Sequence, residues 1–181
     1  MPRVCPGRVI LRVYDLARSF RDAGMTVISG FHSPMEKECL EFLLRGDQPV
    51  VICPARGIDG MRLPMQWRKG ISENRLLLLS PFEPGLRRPT QALTVIRNRF
   101  VAMIADSIMV AYANPGSKTE QLCLELLETG QCLYTLDMTE NIELMENGAI
   151  GIRVGELPAP PWSPSPEGGL RKSPSACDSP N

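Results

Sequence analysis

The sequence predicts an α/β fold, a Rossmann-like three-layer sandwich with a mostly parallel sheet. Three observations lead there. Short runs that are apolar throughout, such as "PVVIC" (49–53) and "LLLLS" (76–80), suit strands covered on both faces. The stretches between them carry apolar residues at helical spacing. Strand and helix then alternate along the chain, as they do where parallel strands are joined by right-handed crossovers.

Taken in order, Val9, Ile10, Val13, Leu16, Ala17 and Phe20 recur with helical period, and Gly24 follows where a C-cap belongs. Residues 25–29 are short and β-branched, a first strand. Residues 34–45 put Met35, Cys39, Leu40, Leu43 and Leu44 on one side of a helix. "PVVIC" is the second strand, a short helix falls at 64–72, and "LLLLS" is the third strand. After a Pro-rich loop, residues 91–105 form a helix carrying Leu93, Ile96, Phe100, Val101 and Ile104. "SIMVAY" (107–112) is a fourth strand, 117–129 a helix, and "CLYTL" (132–136) a fifth strand. A short helix at 139–146 and a weak strand at 149–154 complete a domain expected over residues 1–155. From Glu156 the chain is crowded with Pro, Ser and Gly, so residues 156–181 are expected to be a disordered tail, Trp162 included. The chain opens as "MPRVCPG" running into a helix, whereas a doubly wound domain begins with a strand. Either this fold starts with a helix or its first strand is missing; the second is the expectation.

With 181 residues the chain can bury a proper core. Its six cysteines form no C-x-x-C pair, and His32 is the one histidine, so no metal set and no cofactor are expected. Cys39, Cys53 and Cys123 sit in apolar contexts, as small core residues of a reduced, cytoplasmic protein do. No signal peptide and no membrane-spanning run is visible. The zero net charge is unevenly spread: residues 1–44 carry +1, 45–99 carry +6 and 100–181 carry −7. The basic middle suggests one positive face, and scattered solvated arginines are the alternative.

Ligands of such sheets bind outside the carboxyl ends of the strands, so the loops there hold the candidate site. In "SGFHSPMEKE" (29–38), Ser33 is an N-cap, Pro34 suits the first helical position and Glu36 completes a capping box. The loop is either a plain capped turn or an anion site built on Gly30, the helix-start amides, Ser33 and His32. In "CPARGIDGMR" (53–62), Arg56 leaves a strand end with a fork suited to phosphate. Further on, Arg97 and Arg99 bracket Asn98 at the front of a helix. The following strand ends in Asn114-Pro115-Gly116-Ser117-Lys118-Thr119-Glu120, where small polar residues lead into a helix and present amides. G-x-x-x-x-G-K-[ST] is absent, which excludes a Walker A loop.

The order of strand, "SG" loop, helix, strand, "LLLLSPF", "RNRFVAMIAD", strand and "NPGSKTE" resembles the core of the DNA-processing protein A (DprA/Smf) family over residues 25–135. That family carries an "SG" loop, an "LLSE-P" segment, an "F-P-x-R-N-R-I-I-A-G-L-S" helix and an "SGSL-TA" loop. Where the family has "S-G-x-A-x-G-I-D", Gly30 is followed here by Phe31-His32-Ser33-Pro34, and "ARGID" (55–59) comes one strand later. The resemblance implies a protein that holds single-stranded DNA or a nucleotide, in DNA processing or uptake, and a homodimer. Arg56, Arg97 and Arg99 would meet phosphates, with Gly30, Asn98, Gly116, Ser117, Lys118 and Thr119 around them and Phe31, Phe82 or Tyr112 as stacking rings. The elements are similar, too, to lysine decarboxylase-like phosphoribohydrolases. Were the chain an enzyme of that kind, Arg97 would steady phosphate or sugar charge and Glu120 would act as the catalytic carboxylate. The expectation is binding rather than catalysis.

Overall fold

The computed structural model describes residues 5–155; residues 156–181, with Trp162, lie outside it. The chain divides into two compact units, Met1–Ala105 and Asp106–Asn181.

The first unit opens with α1 (Gly7–Asp22), which buries Val9, Val13, Leu16 and Ala17, one face at three- and four-residue intervals. Gly24 ends it at φ +69, a left-handed turn that favours glycine. There the Gly24 amide bonds to Arg21 O (3.0 Å) and the Met25 amide to Phe20 O (2.9 Å). β1 (Val27–Ser29), α2 (Pro34–Leu43), β2 (Val50–Ile52), α3 (Met65–Ser72), β3 (Leu76–Leu78) and α4 (Gln91–Ile104) follow. The strands lie in the order β1-β2-β3, both pairings parallel, with Val27 opposite Val50 and Val50 opposite Leu76. Parallel neighbours need a crossover, which α2 and α3 supply. Phe31, Leu40, Leu43, Val50, Ile52 and Leu76 form the core, flanked by Phe20, Val27, Trp67 and Leu78. Each such side chain contributes about 1.5–3 kcal/mol on full burial.

The second unit holds β4 (Ile108–Met109), α5 (Lys118–Glu128), β5 (Leu133–Leu136), a 3-10 turn at Thr139–Asn141, α6 (Ile142–Glu146) and β6 (Ile150–Ile152). Its strands are again all parallel, in the order β4-β5-β6. Ala113, Cys123, Leu133, Leu144 and Ala149 make its core. Two buried polar groups tie it together. Thr135 Oγ1 donates to Val110 O (2.8 Å), and Asn141 Nδ2 donates to Ala111 O (2.9 Å) and Leu136 O (3.0 Å). Pairing buried donors this way removes a desolvation penalty of about 1–3 kcal/mol for each group otherwise left bare.

Every expected element is present, in an all-parallel α/β fold. The strands are shorter than their apolar runs, although the ladder bonds continue past the strand ends: Cys53 N to Ser29 O (2.8 Å) and Leu79 N to Ile52 O (3.0 Å). Cover on both faces does not hold everywhere, for Leu77 is 54% exposed on β3, the last strand of its sheet order. Among the described residues, no helix is long and apolar enough to cross a membrane.

Candidate functional site

At the end of β1 the chain turns through Gly30 and Phe31 into α2. Phe31 takes φ +46, uncommon for a bulky residue, and is only 6% exposed, part of the core. It is therefore no stacking platform. Ser33 caps α2 with the full capping box: its Oγ accepts from the Glu36 amide (3.2 Å) and Glu36 Oε2 accepts from the Ser33 amide (2.9 Å). Glu36 does more than a capping box asks. The same Oε2 takes the His32 amide (3.2 Å), and Oε1 takes the Ser29 hydroxyl (3.1 Å). Two amides just ahead of the helix, in the loop expected to receive a ligand anion, thus already hold a carboxylate of the chain. The His32 side chain stands exposed at the mouth of this loop.

Arg97 reaches the same place from α4. Its helix begins at Gln91, with Thr90 Oγ1 accepting from the Leu93 amide (3.2 Å), so "RNR" lies in the middle of the helix and not at its front. Arg97 is only 5% exposed. Its guanidinium lies against Gly30, where any Cβ would overlap it, and Nη1 donates to Cys53 O (3.0 Å) at the end of β2. Gly30 is thus required by close approach. Burial pulls the Arg97 pKa below its ordinary value, opposed by the nearby Glu36 carboxylate and Cys53. Its Nε is buried without a hydrogen-bond partner. Arg97 therefore clasps two strand ends from within, while Asn98 is half-buried and Arg99 exposed beside it.

Arg56 follows β2. Its Nη1 donates to Arg87 O (3.2 Å), and its own carbonyl accepts from Ser80 Oγ (2.8 Å), which in turn accepts from the Phe82 amide (3.2 Å). The Gly57 amide bonds to Leu86 O (2.8 Å), and a Cβ on Gly57 would strike the backbone of Glu83 and Pro84. The loops after β2 and β3 are therefore stitched together, and Arg56 is partly a brace. Sequence reasoning missed Arg87 and Arg88, exposed cations carried on this stitched pair. Their signal was the Arg-Arg doublet in a Pro/Gly-rich loop.

In the second unit, Ser117 caps α5, its Oγ accepting from the Glu120 amide (3.1 Å), and Glu120 Oε2 accepts from the Gly116 amide (2.6 Å). Gly116 has φ +68. Lys118 Nζ donates to Gln121 Oε1 (3.3 Å), Thr119 is half-buried, and Tyr112 OH donates to Asn114 Oδ1 (3.0 Å). Glu120, like Glu36, serves its own helix start.

These features define a parallel α/β protein with arginine-bearing loops at the carboxyl ends of its strands. Its fold is that of DNA processing protein A. The chain is similar to the X-ray structure of DprA from Streptococcus pneumoniae, with a TM-score of 0.66 and 17% identity over 84% of this chain and 56% of that one. It thus spans little more than half of that protein's length. It is also similar to DprA from Helicobacter pylori, with a TM-score of 0.63 and 22% identity over 82% of this chain and 71% of that one. That structure is described as giving insight into a unique single-stranded DNA binding mode. No protein-family model and no curated protein matches the chain.

Proposed function

We propose that residues 1–155 are a DprA-like module that binds single-stranded DNA, or a nucleotide, in DNA processing or uptake within the cytoplasm. The observation that carries this reading is the likeness in fold to the H. pylori protein, whose structure is described by its single-stranded DNA binding mode. The +6 charge of residues 45–99 supports it, since phosphate neutralisation dominates nucleic-acid affinity. Glu120, the carboxylate that would serve catalysis, is engaged at its own helix start, which favours binding over bond cleavage. A homodimer belongs to the proposal and is read by light scattering.

The test is fluorescence anisotropy of a labelled single-stranded oligonucleotide at two salt concentrations, with mononucleotides as competitors. Binding that weakens steeply with salt is expected. Competition by mononucleotides would make the nucleotide the ligand. No binding by demonstrably folded protein would sink the reading.

A further inference from the structure

Arg97 is spent inside the protein, and the Arg56 fork is partly engaged by a carbonyl. If DNA phosphates are met by this unit, exposed cations elsewhere at the strand ends must meet them. We infer that the stitched loops after β2 and β3, residues 54–62 and 79–90, form the surface that contacts single-stranded DNA, with Arg87 and Arg88 on its phosphates. This rests on the proposed function and names the site for it.

Four observations converge. First, the two loops are one surface: the Gly57–Leu86 and Arg56–Arg87 hydrogen bonds join them, and Gly57 lets their backbones approach more closely than a Cβ would allow. Second, that surface is basic. The two segments carry Arg56, Arg62, Arg87 and Arg88 against Asp59 and Glu83. Third, the Arg87 and Arg88 side chains are exposed, and neither has a hydrogen bond or ion pair among the described residues. Several other arginines are engaged, such as Arg18 with Asp15, Arg75 with Glu73 and Arg153 with Asp137, whereas Arg62 in the first of these loops is exposed like Arg87 and Arg88. Fourth, apolar groups lie between the charges. Ile58 and Leu86 are exposed at 38% and 43%, and Phe82 is the partly exposed aromatic of the pair. Cations interleaved with an aromatic and aliphatic side chains suit a flexible strand whose bases turn away from its backbone. An acidic peptide would use the charges and leave the ring idle.

The experiment compares wild type with Arg87→Ala/Arg88→Ala, Arg87→Lys/Arg88→Lys and, as a control outside the loops, Arg12→Ala on α1. Thermal melts check that each is folded. Binding of a labelled single strand is followed across a salt series. For the alanine pair we expect affinity to fall by about tenfold or more. The slope of log K against log salt should become shallower by about 1.4, two phosphate contacts at ~0.7 each. The lysine pair keeps its charge and should keep the slope, and Arg12→Ala should match wild type. Unlabelled duplex of the same sequence should compete less well than the single strand. If wild type binds and the folded alanine pair retains its affinity and slope, the site is overturned while the DNA-binding reading stands. Equal competition by duplex overturns the single-strand assignment. If wild type itself binds nothing, the reading and the site fall together.

Discussion

At the scale of single residues, the contact between Gly30 and Arg97 decides how the two strand ends meet. A Cβ at position 30 overlaps the guanidinium, and the guanidinium cannot retreat freely because Nη1 holds Cys53 O. Gly30→Ala should therefore destabilise the fold by about 1–3 kcal/mol, the usual cost of overpacking a filled site. Arg97→Ala should also destabilise, through a cavity and an unpaired carbonyl. The informative quantity is their combination. With the guanidinium gone the added methyl has room, so the double variant should be more stable than the sum of its parts predicts, by about 1 kcal/mol or more. Urea unfolding of the four proteins measures this coupling. Additive effects would mean that position 30 and Arg97 do not press on one another.

At the scale of elements, α2 and α5 begin alike: a serine N-cap and a glutamate whose carboxylate returns to the loop. Ser33→Ala and Ser117→Ala should each cost about 1 kcal/mol. Glu36→Ala should cost more, on the order of 2 kcal/mol, because its carboxylate takes Ser29, His32 and Ser33 together. Urea midpoints of the three variants order the effects; an equal loss in all three would reduce Glu36 to an ordinary cap. Both helix starts were legible in the sequence because caps are local, a full capping box at α2 and a serine cap at α5: serine, glutamate and the amides they serve lie within four residues. The same is true of the Gly24 stop and of the apolar face of α1. What lay outside the sequence's reach is long-range. Arg97 meets a carbonyl 44 residues away, and Arg56 meets one 31 away. No periodicity encodes such pairs, so an arginine meant for a ligand and one meant for the interior look the same. Phe31 misled for a related reason: a loop position looks exposed until the backbone, at positive φ, turns its ring inward.

At the scale of the whole molecule, the buried thiols make stability depend on pH in the alkaline range. Burial, helped by Glu36 and Glu38, pushes the Cys39 thiol up to about 12, and burial with Glu120 pushes Cys123 up to about 11. Cys53 is raised by burial as well, with Arg97 opposing. On α1, the hydrogen bond to Glu38 holds the Tyr14 phenol up to about 12. An acid whose folded value is raised keeps its proton more tightly in the folded chain than in the unfolded one. The unfolded thiols begin to ionise near 9, and from there the unfolded state gains free energy that the folded state cannot match. Stability is thus fully present below about pH 8 and falls as pH rises towards 11 and 12, the values to which Cys123 and Cys39 are raised. Urea midpoints at pH 8, 9.5 and 11 should decline in wild type. In Cys39→Ala/Cys123→Ala the midpoint starts lower, because both side chains fill the core, but its decline with pH should be flatter. Parallel declines in the two proteins would assign the alkaline loss to other groups and remove the thiols from the account.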